Sequence, residues 1–307
     1  MSILVTTPTG NVGRRVVERL LEAGAPITVL ARDPARLDPA VRERARVVAG
    51  DLTDPAALAE SARVARALFL AIPPFPASAD WAADQRRVGE AAAAAIRTQG
   101  LERVVFLSSA GAQRDDLYAV SRLGEIERML AAAAPHVAAL RAGFFLENFL
   151  SAVPTIAADG TVYMSLPPDR PLAMVATRDV GDVAAALLLD DGWRGHQVRG
   201  VHGAADRTPA QVAAAFGRVL GRDVRYVRVP AEAMRQALLG AGMSAHVADE
   251  YPRLMDGLGA LDFQAEPRTA TSTTPTTVEA WAEAVLAPAV AGFAAARLAP
   301  SAPAAAV

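Results

Sequence analysis

Apolar and polar residues form two alternating kinds of block along the first half of the chain. Short runs that are apolar almost throughout are separated by longer segments in which apolar residues recur at helical spacing. Runs that are apolar on both faces are typical of parallel strands covered by helices on both sides. The predicted strands are residues 3–6, 27–31, 46–49, 67–72, 104–107 and 137–140. The pattern therefore predicts an α/β fold with a doubly wound parallel sheet.

The segments between these strands carry the signals of helix ends. Asp33 and Asp54 each precede a proline, which places a capping carboxylate ahead of a proline at the first helical position. Gly24 and Gly100 follow helical segments, where a left-handed residue commonly ends a helix. The predicted helices are residues 11–23, a short one after residue 34, 55–64, 81–99 and 117–133.

The second half of the chain is less regular. Its predicted elements are helices near 147–157 and at 179–189, 208–220 and 230–239, a strand at 224–229 and a proline-rich turn at 166–171. Insertions of this kind often build a substrate-binding lobe. We predict a first domain at residues 1–143 and a smaller C-terminal α/β lobe at 144–298, some of whose elements return to the first sheet. Residues 299–307 are predicted to be a disordered tail.

Composition narrows the chemistry that the chain can perform. Its 307 residues are 52% hydrophobic with a net charge of only -2, so we expect a soluble globular protein without a nucleic-acid surface. Cysteine is absent and all 31 basic residues are arginine, which excludes thiolate nucleophiles, Schiff-base lysines and cysteine-ligated metals. Neither a signal peptide nor a membrane span is predicted, and a cytoplasmic location is the expectation.

The turn TTPTGNVG, residues 6–13, connects the first predicted strand to the first helix. Free backbone N–H groups and the positive end of a helix dipole meet there, an arrangement that suits a pyrophosphate. Gly10 allows the backbone to approach the phosphates, and Gly13 allows the helix to pack closely on the strand. The predicted phosphate contacts are Thr6, Thr7, Thr9, Gly10, Asn11, Val12 and Gly13. The first domain is therefore predicted to be an NAD(P)-binding domain of Rossmann type.

Several segments together resemble the NmrA-like family of atypical short-chain dehydrogenases and reductases. They are this turn, VLARDP at 29–34, GDLTDP at 50–55, VVFLSSAGA at 104–112, LRAGFFLENFL at 140–150 and VATRDVGDVAAALL at 175–188. The resemblance covers nearly the whole chain. The family includes NADPH-dependent quinone reductases and other reductases, as well as nonenzymatic redox-sensing regulators, so the resemblance implies a bound nicotinamide cofactor without fixing one activity.

Three positions depart from the pattern of this family. Thr7 stands where glycine is usual. Because Pro8 biases the residue before it towards extended backbone, we predict that Thr7 does not need a positive φ. Arg122 stands where lysine is common, and Ala142 replaces the usual proline.

The choice of cofactor depends on the end of the second predicted strand. Arg32 lies there, and an arginine at this position pairs with the 2′-phosphate of NADPH. The alternative is a solvated Arg32 with Asp33 as the ribose ligand of NADH. Since Asp33 already serves as a helix cap, NADPH is the predicted cofactor and NADH the less favoured one. Further predicted cofactor contacts, partly implied by the resemblance, are Asp51, Leu52, Ile72, Pro73, Ser108 and Arg122.

Candidate catalytic residues are Tyr118, Arg122 and Ser109, which match the tyrosine, lysine and serine of orthodox short-chain dehydrogenases. Tyr118 and Arg122 share a predicted helix face, where the arginine would favour a tyrosinate but is unable to relay a proton. Alternatively, Arg122 pairs with Glu125 and Tyr118 covers an apolar edge. A protein acid is dispensable, because hydride transfer depends mainly on positioning and a quinone product takes protons from water.

Aromatic residues after the sixth predicted strand suit a flat apolar substrate. Phe144, Phe145 and Asn148 are the predicted substrate contacts, with ordinary core packing as the alternative for each phenylalanine. The remaining polar candidates are expected to be structural. No metal site is predicted, because the four histidines lack metal-binding spacing, and most of them are expected at the surface or at caps. Asp179 and Asp182 are interpreted as helix caps.

The leading hypothesis is an NADPH-dependent oxidoreductase. It would transfer hydride to a small, largely apolar carbonyl, quinone or conjugated substrate, as a monomer or homodimer without a nucleic-acid or membrane partner. The alternative is a non-catalytic NADP(H) sensor that acts through a protein partner.

Overall fold

The computed structural model describes residues 2–260 and 266–298 of the chain. Its strands, numbered along the chain, are β1 (Ser2–Thr6), β2 (Ile27–Ala31), β3 (Arg46–Ala49), β4 (Ala65–Ala71), β5 (Arg103–Ser109), β6 (His136–Ala142), β7 (Phe144–Phe145), β8 (Thr161–Met164), β9 (Leu172–Val175), β10 (His196–Val201), β11 (Asp206–Arg207) and β12 (Arg225–Arg228). Its α-helices are α1 (Asn11–Glu22), α2 (Pro39–Arg44), α3 (Pro55–Ala62), α4 (Trp81–Gln99), α5 (Ala119–Ala131), α6 (Val153–Asp159), α7 (Thr177–Leu189), α8 (Pro209–Leu220), α9 (Ala231–Gly240), α10 (Ala245–Gly259), α11 (Val278–Trp281) and α12 (Ala287–Leu298). Short 3-10 helices lie at Pro34–Arg36 and Leu146–Ala152.

Seven parallel strands form the central sheet, in the order β10-β6-β5-β4-β1-β2-β3. In the inner strands, the side chains of successive residues pack into the hydrophobic cores on opposite faces of the sheet. Val5 and Phe69 pack towards α1 and α7, whereas Leu4 and Leu68 pack towards α3, α4 and α5. Burial of both faces explains why these strands are apolar almost throughout. The predicted doubly wound parallel sheet is confirmed.

Helix-end signals were reliable in the first half of the chain. The Asp33 carboxylate accepts a hydrogen bond from the backbone N–H of Ala35 at 3.0 Å, and Asp54 caps α3 in the same way. Gly24 and Gly100 have φ values of 69° and 67°. These four predictions are confirmed, because each rests on a backbone requirement within one turn of the helix end.

Strand β10 joins the central sheet from the second half of the chain and was not predicted. It pairs along β6, with Val198 beside Ala139. As an edge strand it is solvated on much of its surface: His196 and Arg199 are exposed, and Val198 is 50% exposed. The strand therefore lacks the continuous apolar run by which the inner strands were recognised.

A second lobe is built from two small sheets and the later helices. One sheet has the order β11-β9-β7, and the other pairs β12 with β8. Its core centres on Phe149, Phe216 and Trp281, which are fully buried and whose rings lie 5.4 to 5.9 Å apart along the series. Phe149 therefore packs in this core.

The C-terminal helical segment Val278–Ala296 is long and apolar enough to cross a membrane, judged by length and composition alone. In the structure one face of this segment packs into the core of the second lobe. Trp281 and Leu286 are buried there, while most of the segment remains outside the core. The apolar character of this face is therefore explained by packing within the chain.

Acidic residues at the start of α7 do not cap it, and the prediction that they do is wrong. The Asp179 carboxylate instead accepts hydrogen bonds from the backbone N–H and hydroxyl of Thr276, at 3.0 and 2.6 Å. Asp182 pairs with Arg15 of α1 at 2.9 Å. Both carboxylates hold separate elements together, a role that local sequence signals do not report.

Glu147 takes the capping role at this helix. Its carboxylate accepts from the backbone N–H of Thr177 at 3.0 Å and from Nε1 of Trp281 at 3.1 Å. His202 also departs from its expected place at the surface, because it is only 1% exposed and its backbone pairs with the segment at residues 272–274. Burial, together with the charge of Arg268, lowers the pKa of His202.

Candidate functional site

The turn between β1 and α1 presents unpaired backbone donors to its surroundings. Gly10 precedes α1 without a side-chain cap. Within the described part of the chain, the N–H groups of Asn11, Val12 and Gly13 donate to no acceptor. These donors lie at the positive end of the helix dipole, so the turn fits a phosphate group.

Thr7 has a φ of 51°, so the prediction that it avoids positive φ is wrong. The turn closes through a hydrogen bond from the N–H of Gly10 to the Thr7 carbonyl oxygen, at 3.0 Å. Helix α1 also approaches so closely that a Cβ on Gly13 would lie 2.2 Å from the same oxygen. This closure outweighs the bias imposed by Pro8. Threonine thus occupies a backbone conformation that glycine adopts more readily, in agreement with the glycine usual at this position of the family.

The hydroxyl of Thr6 is occupied within the sheet. It donates to the carbonyl oxygen of Phe69 at 3.0 Å and accepts from the N–H of Ala71 at 3.1 Å. Thr6 therefore fixes β1 against β4, and its side chain does not face the turn. Of the other predicted phosphate contacts, Thr9, Gly10 and Asn11 are exposed at the turn, and the side chain of Val12 is buried in the core.

The end of β2 offers an arginine to a ligand at the sheet edge. Arg32 is exposed and makes no hydrogen bond or ion pair with the described residues, while Asp33 is engaged as a cap. Asp51 accepts from the N–H and hydroxyl of Thr53 at 2.8 and 2.7 Å. Burial raises the pKa of Asp51, but these hydrogen bonds and the charge of Arg32 outweigh it, so the pKa is lowered. Leu52 is buried in the core and supports this edge.

A cavity of about 280 Å³ lies at the carboxyl ends of β4, β5 and β6. No charged side chain lines it in the described part of the chain. The predicted site residues that it brings together are Ile72, Ser108, Ser109, Phe144, Phe145 and Asn148. The neighbouring Pro73 is half-buried and does not line the cavity. The arrangement suits a neutral, largely apolar molecule.

Helix α10 forms one wall of this cavity and was not predicted. Its lining residues are Tyr251, Leu254, Met255 and Leu258. Their spacing of three, four and seven residues is typical of one face of an amphipathic helix, and this signal was present in the sequence. Pro252 interrupts the pattern and obscures the helix. Ser244, the cap of α10, also donates its N–H to the Pro76 carbonyl oxygen at 2.8 Å, which ties this wall to the loop after β4.

Tyr118 and Arg122 lie outside the cavity lining, and they do not share a helix face as predicted. Helix α5 begins at Ala119, and Tyr118 precedes it with a φ of 49° and an exposure of 38%. Arg122 forms an ion pair with Glu125, which was the alternative reading. Glu125 also binds Arg86 at 3.0 Å, so the charge of Arg122 is held within a surface network.

The two serines at the end of β5 differ in their surroundings. The Ser109 hydroxyl donates to the carbonyl oxygen of Ala110 at 3.1 Å, whereas the Ser108 hydroxyl donates to the Glu127 carboxylate. Glu127 binds Arg141 at 2.7 Å. Burial would lower the pKa of Arg141, but hydrogen bonds to Glu127 and Glu266 outweigh it and raise the pKa. Ser108 is therefore anchored to a buried ionic network, which leaves Ser109 as the more available hydroxyl.

Comparison with known proteins identifies the family of the chain. The model of the NmrA-like family matches residues 1–282. The chain is 37% identical over 242 residues to a (4-alkanoyl-5-oxo-2,5-dihydrofuran-3-yl)methyl phosphate reductase of Streptomyces griseus subsp. griseus, covering 77% of this chain and 80% of the relative. It is 31% identical over 253 residues to an NAD(P)H azoreductase of Xenophilus azovorans, covering 82% and 85% of the two chains.

A solved structure shares the same fold. The NADPH-dependent quinone oxidoreductase of Escherichia coli, complexed with NADPH, superposes with a TM-score of 0.74 at 22% sequence identity, covering 95% of this chain and 99% of the other. The match of the family model over most of the chain, together with two relatives above 30% identity, identifies the family. The chain belongs to the NmrA-like family.

Proposed function

We propose that the chain is an NADPH-dependent reductase that transfers hydride to a small, flat and neutral acceptor, such as a quinone or a conjugated carbonyl compound. The proposal rests on one observation: the turn with free N–H groups and the uncharged cavity both lie at the carboxyl-end edge of the central sheet. Ligands of doubly wound sheets bind at this edge. The reductase names of the two relatives at 37% and 31% identity support the proposal.

The chain offers separate partners to the two ends of the cofactor. The N–H groups at the start of α1 would hold the pyrophosphate, and Arg32 would bind the 2′-phosphate by a charge-assisted hydrogen bond. When bound, NADPH supplies the hydride. Ala142 and Gly143, at the end of β6, line the cavity and leave room for a ring beside the sheet.

The cavity wall positions the acceptor and excludes water from it. Phe144, Phe145 and Leu107 present apolar surface against which a planar ring packs. The Ser109 hydroxyl would exchange its hydrogen bond to the Ala110 carbonyl oxygen for one to an acceptor oxygen and so orient the acceptor. Because Tyr118 and Arg122 lie outside the lining, the product would take its protons from solvent after the hydride has been transferred. Among residues 2–260 and 266–298 the lining also offers no cationic partner to a phosphate group, so phosphorylated acceptors should be poor substrates.

The test measures NADPH binding and NADPH consumption separately. Purified protein is titrated with NADPH and then assayed by loss of NADPH absorbance with quinones, enones and azo compounds. Consumption with at least one acceptor supports the reductase. The position of Tyr118 and Arg122 outside the cavity favours a second candidate, an NADP(H) sensor that acts through a protein partner. Tight binding without consumption of NADPH by any acceptor would favour that candidate.

A further inference from the structure

Two polar side chains stand out in the wall of the cavity. Trp81 and Gln85 lie one turn apart on α4, so they share one face of the helix. Gln85 is only 6% exposed. Nε1 of Trp81 and Oε1 of Gln85 are both shielded from solvent and hydrogen-bond to no residue of 2–260 and 266–298. A residue with a buried donor and a residue with a buried acceptor thus lie one helical turn apart in a wall that is otherwise mostly apolar.

The two serine hydroxyls of this wall are engaged. The hydroxyls of Ser108 and Ser109 donate to Glu127 and to the carbonyl oxygen of Ala110. An unmet donor or acceptor away from water is unfavourable, and folded proteins leave few of them. Such groups are expected where a ligand supplies the missing partner.

The start of α4 is held in place by its own hydrogen bonds. Asp80 caps the helix by accepting from the N–H of Ala83 at 2.9 Å. The Ser244 hydroxyl donates to the carbonyl oxygen of Ser78 and fixes the preceding loop to α10. Trp81 therefore has a supported position at the cavity before any ligand binds, as a specific binding site requires.

We propose that Trp81 and Gln85 form the polar recognition site of the cavity and select acceptors that carry a hydroxyl or N–H group beside the conjugated ring. The indole N–H of Trp81 donates to an oxygen or nitrogen of the acceptor. Oε1 of Gln85 accepts from the hydroxyl or N–H group of the same molecule. The inference rests on the proposed reductase function and adds the class of its substrate.

The test uses three neutral naphthoquinones that carry a methyl, a methoxymethyl or a hydroxymethyl group at the same ring carbon. The first lacks the extra oxygen, the second has an acceptor only, and the third has both an acceptor and a donor. We expect wild-type kcat/KM to be about tenfold higher for the hydroxymethyl than for the methoxymethyl compound, because only the former satisfies Gln85. Gln85→Leu should bring this ratio to about one, and Trp81→Phe should reduce the advantage of both oxygen compounds over the methyl compound.

Ratios between substrates are compared within one preparation, so they do not depend on how much of a variant is folded. The matched control is Gln99→Leu, the same substitution at the other end of α4 and away from the cavity, which should keep the wild-type ratio. Binding of each compound to protein loaded with NADP⁺ is measured by calorimetry as a readout that needs no turnover.

The outcomes separate the two proposals. Turnover of all three compounds with equal kcat/KM in the wild type would overturn the recognition site and leave the reductase standing. A binding preference for the hydroxymethyl compound that Gln85→Leu removes, without turnover of any compound, would support the recognition site and count against the reductase. A preference that survives Gln85→Leu unchanged would also overturn the recognition site.

Discussion

Gly13→Ala tests how closely the first helix must approach the turn. A Cβ at this position would lie 2.2 Å from the carbonyl oxygen and 2.9 Å from the carbonyl carbon of Thr7, whereas ordinary contacts begin at 3.4 Å. The two backbones would have to separate by about 1 Å. The turn is poorly able to yield, because Thr6 is hydrogen-bonded to β4 and Thr7 is hydrogen-bonded to Gly10.

Crowding of this kind costs about 1–3 kcal/mol, which exceeds the gain of up to about 1 kcal/mol that alanine brings to a helix. We therefore expect Gly13→Ala to lower the free energy of unfolding, by up to about 3 kcal/mol. NADPH affinity should fall by about tenfold or more, because the N–H groups of the turn move with the backbone. Urea denaturation and a fluorescence titration with NADPH measure the two effects.

The matched control is Gly292→Ala in α12. A Cβ there meets nothing within 4 Å, so only the helix preference remains and the variant should be more stable by up to about 1 kcal/mol. Opposite signs for the same substitution at the two positions would support the close approach at Gly13. If Gly13→Ala were as stable as the wild type and bound NADPH equally well, the described turn geometry would be refuted.

Four further predictions address single side chains. Arg32→Ala should weaken NADPH about tenfold and leave NADH unchanged in parallel titrations, and equal losses for both would contradict a contact with the 2′-phosphate. Tyr118→Phe should leave kcat/KM within about twofold, and a larger loss would return the tyrosine to the mechanism. Glu147→Gln should lower the free energy of unfolding by about 1–3 kcal/mol in urea, since a half-buried capping carboxylate is lost; an unchanged midpoint would contradict this role. Burial and Arg268 lower the pKa of His202, so the unfolded chain takes up the proton first as pH falls below about 6.5. The contribution of neutral His202 to the free energy of unfolding is therefore complete above that pH and declines below it. Urea curves at several pH values should show a smaller loss of stability at low pH in His202→Phe than in the wild type.

The sheet was predictable because its signals are local and dense. An inner strand such as β4 is buried on both faces, so its consecutive residues are nearly all apolar. The caps at Asp33 and Asp54 were equally easy to predict, since the free N–H groups at the start of a helix need an acceptor within three residues. Elements with a solvated face, such as β10, lack a continuous apolar run and were not predicted.

The candidate site was predictable only in part, because it depends on contacts between distant segments. The sequence indicated the turn, the last residues of β5 and the residues that follow β6, all of which lie near one edge of a parallel sheet. It did not indicate that α10 would close the cavity, nor that Trp81 would face it. The prediction for the φ of Thr7 was wrong because it rested on the local bias that Pro8 imposes. The hydrogen bond from Gly10 that closes the turn opposes this bias and outweighs it.

The late strand β10 has a consequence for how the chain is made. Strand β6 is hydrogen-bonded on one side to β5, and on its other side it pairs with residues 196–201. Until those residues have left the ribosome, the nascent sheet carries an open strand edge, a surface to which other chains and chaperones readily bind. A fragment that stops after β6 would keep this edge open permanently. Synthesis past residue 201 thus replaces the apolar edge strand β6 by β10, a more polar edge strand whose exposed His196 and Arg199 disfavour strand-to-strand association.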